Sequence, residues 1–176
     1  LEVLLLKLLA IVLSASFSLS TQAAPSDRRA SPAQKAFPTS PAPHLTPGTL
    51  CDRPSSKRYA EGIPYCERDV HSDLKREVME TYDRELGYQV TKMARGLFKI
   101  DHFIPLCMGG SNQAQNLWPQ HESVYVITDD IEHLSCELMS KGRLRQAEAV
   151  AGIREAKLDL SRAPAVLARL KSIRSR

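Results

Sequence analysis

Two short alternating runs, each stopped by a proline, constrain this chain most. "GLFKIDHFIP" sets Leu97, Lys99, Asp101 and Phe103 against Phe98, Ile100, His102 and Ile104. That is the period of two of a β-strand, and Pro105 lacks the N–H a ladder would need. "NLWPQ" reads as a second short strand ended by its own proline. Between them, "MGGSNQ" carries the Gly-Gly and Ser-Asn of a turn or exposed loop. Around this pair the period is helical. "SDLKREVMETYDRELG" places Leu74, Val78, Tyr82 and Leu86 on one face, with Ser72 as N-cap and Gly87 as stop. "DDIEHLSCELMSKG" follows the strands, capped by Thr128 or Asp129, with Ile131, Leu134, Leu138 and Met139 aligned. "LRQAEAVAGIREAK" gives a further helix with Ala147, Val150, Ile153 and Ala156 inward, and "APAVLARLKSIRSR" a last one with Pro164 in its first turn. Helix, two strands around a loop, then helices is an α+β order.

The first residues lie outside that pattern. "LEVLLLKLLAIVLSASFSLSTQAA" is apolar with Lys7 early, and it turns small and polar toward Ala23. It has the form of a secretory signal peptide over residues 1–23, with Thr21 and Ala23 before the cut. Residues 24–48 hold six prolines and few large apolar groups, too little to offset ordering entropy, so a disordered tether is expected there. The folded domain is expected over residues 49–176, with 162–176 a basic helix or tail. Export follows, to the periplasm or the medium, with no stable membrane association after the leader is removed.

Cys51, Cys66, Cys107 and Cys136 all fall inside that domain. An even count behind an export signal favours two disulfides, and three pairings are open. Cys51–Cys66 with Cys107–Cys136 is favoured, because the first ties the leading loop to its neighbour. No C-x-x-C occurs, which argues against a zinc knuckle; a mixed site of Cys107, Cys136 and a histidine is the alternative. The 24 Lys and Arg exceed the 20 Asp and Glu by +4, and losing residues 1–23 removes Glu2 and Lys7 together. Such a balance permits a polyanionic partner.

At "DHFIPL…GG…NLWPQH" the chain resembles the HNH, or ββα-metal, nuclease superfamily: Asp101-His102 ends the first strand, Gly109-Gly110 lies in the loop, and Asn116 precedes the second strand. With "SVY", "TDDIE" and "QAEAV" beyond it, the chain is similar to a bacterial, often exported branch, over roughly residues 50–157. The resemblance implies a small ββα-metal core and a metal-dependent endonuclease that cuts DNA with little sequence preference, RNA being the alternative substrate. One divalent ion is implied, Mg²⁺ first, with Mn²⁺ or Zn²⁺ as alternatives.

Phosphodiester hydrolysis suits these residue types. A carboxylate-held metal polarises the phosphate and stabilises the leaving oxygen, and a neutral imidazole takes a proton from water, worth roughly 10²–10⁴ in rate. Asp101 is therefore expected as metal ligand and His102 as general base. Asn116 is expected to orient the loop and base or to bind the metal. The helix position at which many family members place a ligand is Tyr125 here, so His121 is the expected ligand instead.

Neighbours on a regular strand point to opposite faces, so Asp101 and His102 can flank one phosphate only at a strand end or bulge. Leu117 and Trp118 are expected in the core. His44, His71 and His133 are expected to be solvated or structural, and Ser111 and Asn112 to serve the turn. Arg143, Arg145, Lys157 and Arg162 are expected on solvated helix faces, or else along a DNA backbone. Two other classes compete: a catalytically inactive nucleic-acid- or metal-binding module on the same scaffold, and an exported, disulfide-stapled interaction protein.

Overall fold

The computed structural model of the protein describes residues 37–175; the leader expected over 1–23 and residues 24–36 of the expected tether lie outside the described residues. The described elements are β1 (Ser56–Arg58), β2 (Ile63–Tyr65), α1 (Ser72–Leu86), β3 (Phe98–His102), β4 (Leu117–His121), α2 (Glu122–Ser140), α3 (Gln146–Leu158) and α4 (Ala163–Arg174). The strands form two antiparallel pairs, β1 with β2 and β3 with β4, so the fold is mixed α+β.

Helix α1 buries Val78 and Tyr82, one turn apart, against Ile100, Phe103, Leu117 and Trp118 of the central hairpin. It ends where Gly87 takes φ 70°, a left-handed turn that favours glycine. Its start is capped by His71 rather than Ser72: the imidazole Nδ1 accepts from the Leu74 N–H at 3.3 Å.

The hairpin is held by its loop. Asn116 is fully buried; its Oδ1 accepts from Ile104 N–H, and its Nδ2 donates to the carbonyls of Ile104 and Ser111, each at 2.9 Å. Gly110 passes so close to this group that a Cβ would stand 1.8 Å from the Ile104 carbonyl oxygen. The loop's curvature thus depends on a missing side chain as much as on the Asn116 bonds.

Helix α2 starts at Glu122, well before the expected caps at Thr128 or Asp129. The segment "ESVYVIT" is rich in β-branched residues, which favours an extended reading by propensity. Burial of Val124, Thr128 and Ile131 at helical spacing outweighs it. Ile131, Leu134, Leu138 and Met139 then form one core with Ile153, Ala156, Val166 and Leu170 of α3 and α4. The inward stripe of α3 is Ala149, Gly152, Ile153, Ala156 and Lys157, whereas Ala147, expected inside, is exposed. Alanines on both faces of that helix leave little contrast for periodicity to read. Disulfides join Cys51 to Cys66 and Cys107 to Cys136, the latter tying the hairpin loop to α2.

Residues 37–48, expected as part of a disordered tether, instead pack on the domain. Thr46 is fully buried, its hydroxyl 2.7 Å from the Tyr82 hydroxyl and 3.0 Å from the Leu117 carbonyl. Gly48 N–H donates to the Gln115 carbonyl at 2.9 Å, and Arg154 to the Pro47 carbonyl at 2.7 Å. Prolines pre-set an extended backbone and carry no donor, so such a segment loses little freedom on docking and leaves few polar groups to satisfy. Residues 50–70, read as loop, also contain the small β1–β2 hairpin, whose Ile63 is anchored in the helical core.

Candidate active site

Pairing across the central hairpin runs without interruption from Phe98↔His121 to His102↔Leu117, with Asp101 opposite Trp118. A continuous register leaves no bulge, so Asp101 and His102 project from opposite faces. The bend expected to bring both onto one phosphate is absent, and the hairpin divides the candidate residues into two separate groups.

On one face stands His102, only 3 % exposed. Its Nε2 lies 3.0 Å from Oδ1 of Asn112, and Asn112 Nδ2 donates to the Glu67 carbonyl at 2.6 Å. The carbonyl fixes the amide orientation, because only the NH₂ can donate to it. Oδ1 therefore faces the ring, Nε2 must carry the proton, and the lone pair is left on Nδ1. Burial pushes the His102 pKa below the ordinary imidazole value; Asn112 works against this, and the nearby charge of Arg68 adds to it. The ring is thus a neutral base with a defined tautomer. Asn112, expected only to serve the turn, is its orienting partner. In a Gly-Gly-Ser-Asn run its turn chemistry hides that role.

A cleft of about 810 Å³ reaches Asn112, with His102 buried behind it, and is lined by Arg53, Glu67, Arg68, Asp69, Ser111 and Asn112. Arg68 also lines a second groove of about 440 Å³ with Lys75, Arg76, Arg95, Phe98 and Lys99. Its guanidinium reaches the Ile100 carbonyl of β3 at 3.4 Å, which places its charge beside the hairpin. A basic track therefore borders the strand that carries His102. Of the basic residues expected to offer one, Arg143 and Arg162 are engaged elsewhere. Arg143 donates to the carbonyls of Ile173 and Arg174 at the end of α4, Arg145 precedes α3 as its N-cap, and Arg162 pairs with Glu155.

The opposite face holds Asp101 and Lys157. Lys157, expected on a solvated helix face, is fully buried. Its Nζ lies 2.8 Å from Asp101 Oδ2, 2.7 Å from Glu132 Oε1 and 2.6 Å from the His102 carbonyl oxygen. Lys99 adds a weaker contact to Asp101 at 3.9 Å and pairs with Asp129 at 2.8 Å. Burial works against the Asp101 charge, but the ammoniums of Lys157 and Lys99 outweigh it and hold the carboxyl below its usual range. Burial likewise opposes the Lys157 charge, and the Glu132 and Asp101 carboxylates overcome it and raise its pKa. For Glu132 burial prevails and the pKa rises. Its Oε1 lacks a well-aligned hydrogen bond despite the short ion-pair distance, and Gln120 Oε1 and Trp118 Nε1 are also buried without partners.

The expected metal ligands do not converge. Asp101 is engaged by Lys157, and Asn116 spends its amide on the loop backbone. His121 is four register positions from His102 on the other hairpin face from Asp101, about 13 Å along the strand. Its ring stacks on Phe37 with centroids 3.8 Å apart, and Nδ1 accepts from Ser123 N–H at 3.2 Å as the N-cap of α2. Cys107 and Cys136 are consumed by their disulfide, so the mixed zinc site is not formed. Among the described residues no cluster of three His, Cys, Asp or Glu side chains is arranged to hold a metal ion. As arranged, this donor set does not fit a divalent ion. No family model matches the chain, and neither a curated protein nor a solved structure matches it.

Proposed function

We propose that the protein is an exported phosphodiesterase that holds a nucleic-acid strand along the basic groove and hydrolyses it with His102 as general base. The observation that carries this reading is the Glu67 carbonyl–Asn112–His102 chain, which fixes a neutral imidazole with its lone pair on Nδ1. A base held in one tautomer loses no time to reorientation, and a neutral ring can accept the proton of an attacking water. Arg68, Lys75 and Arg95 supply positive charge for the phosphates, and Arg68 stands nearest the hairpin. The hairpin, its Gly-Gly loop and α2 form the ββα unit of the HNH type in this reading. DNA is the first substrate, cut with little sequence preference, because the described residues form no separate base-reading module. The two disulfides suit an oxidising, exported setting, and no described helix is long and apolar enough to cross a membrane.

The test is plasmid nicking by the disulfide-bonded chain at low salt, with and without divalent metal. His102→Ala is expected to lower the rate by about 10²–10⁴ while far-UV circular dichroism is unchanged. Equal nicking by wild type and His102→Ala would remove His102 from the chemistry. A second reading is favoured by one observation, the Lys157 ammonium beside Asp101 where an HNH ion is expected: a module that binds nucleic acid without cutting it. Salt-sensitive binding with no cleavage of DNA or RNA under any of these conditions would select that reading.

A further inference from the structure

We infer that Lys157 supplies the cation of the pocket between the hairpin and α2, so that its ammonium stands in place of a divalent ion at Asp101. The surroundings of Nζ are those of a hard cation: two carboxylate oxygens and one main-chain carbonyl oxygen, all between 2.6 and 2.8 Å away. Carboxylates and carbonyls are the ligands that Mg²⁺ and Ca²⁺ use. The three oxygens come from β3 and α2, the elements that would cradle an ion in a ββα unit, while the ammonium arrives from α3. Gln120 reinforces the polarity of this pocket. It stands opposite Lys99 in register, on the same hairpin face as Asp101, and its Nε2 donates to Thr128 of α2 at 3.1 Å.

Charge and placement both resist replacement of the ammonium. An incoming divalent ion would meet the buried Lys157 ammonium at contact distance from both carboxylates. Lys157 is fully buried within α3, between Ala156 and the helix end at Leu158. Its amine cannot reach water by extending along an exposed surface in the way of a snorkelling lysine. Lys157 therefore has two effects. It neutralises the carboxylates that a metal would otherwise have to neutralise, and through the His102 carbonyl it pins the backbone of the proposed base. The inference holds independently of the phosphodiesterase reading, since its readout is ion binding rather than cleavage.

Isothermal titration and the electron paramagnetic resonance signal of free Mn²⁺ test it, with thermal melts in parallel for Mg²⁺ and Zn²⁺. The wild-type disulfide-bonded chain is expected to show no saturable Mn²⁺ binding and no metal-dependent rise in Tm. Lys157→Met keeps the apolar stem and removes the charge, and it is expected to gain stoichiometric Mn²⁺ binding with a rise in Tm. Saturable wild-type binding that disappears in Asp101→Asn overturns the inference. A folded Lys157→Met that binds no Mn²⁺ also overturns it, because the pocket would then not be a cation position. If Lys157→Met does not fold, the wild-type titration decides alone.

Discussion

His102 and Asn112 are separated by ten positions in sequence, and the bond between them decides which imidazole nitrogen is basic. Burial lowers the His102 pKa, so near neutral pH the folded chain binds fewer protons at this ring than the unfolded chain does. The sign follows: its contribution to stability is complete above the unfolded value and is lost as pH falls through the lower, folded one. His102→Gln cannot titrate, and urea melts between about pH 4 and 7 should show a flatter stability profile for it than for wild type. Parallel profiles would mean that His102 does not change its charge state on folding. At this scale the place of His102 at the end of its strand was legible in the alternation of residues 97–104. That of Lys157 was illegible, because a lysine on a helix reads as solvated unless its partner is known, and Asp101 lies 56 positions away. Asn116 was read with two roles, and its three bonds to the loop backbone are those of the positioning one.

At the scale of elements, the start of α2 matters most. A helix beginning at Glu122 makes His121 a cap, and the ring stacks with Phe37 where a ligand would need open access to the Asp101 face. His121→Ala should therefore cost about 1 kcal/mol of stability, the usual loss for a helix cap, and leave nicking unchanged. A large loss of cleavage at unchanged fold would return His121 to the site. Both hairpin strands were visible as alternation, and α1 as a helical stripe, because those signals depend on near neighbours alone. The first two turns of α2 were not visible, since Val124, Val126, Ile127 and Thr128 favour an extended backbone until Val124 and Thr128 are buried. The docking of residues 37–48 was hidden for a related reason: proline-rich composition signals poor cohesion, and the partners that fix this segment, Tyr82, Leu117 and Arg154, lie far along the chain.

For the molecule as a whole, the contact of Asp101 with Lys157 has a bearing on the order of assembly. The central hairpin is local and should form quickly, yet closing it against α2 brings Asp101 and Glu132 together with only the more distant Lys99, 3.9 Å from Asp101, as counter-charge. That charge is carried by α3, after the whole of α2, and long-range contacts of this kind are made late because the intervening chain must first be gathered. A fragment covering residues 37–145 retains the hairpin, its Asn116-braced loop and both cysteine pairs, but deprives Asp101 and Glu132 of the Lys157 ammonium. Breaking such a pair typically costs about 3–5 kcal/mol, a large part of a small domain's stability. The fragment should show no cooperative thermal transition by circular dichroism at neutral pH, whereas a sharp melt would mean that the hairpin and α2 stand without α3. In kinetic terms, the lysine acts as a latch that closes last: the half of the protein containing His102 settles into its final form only once the chain has been made as far as α3.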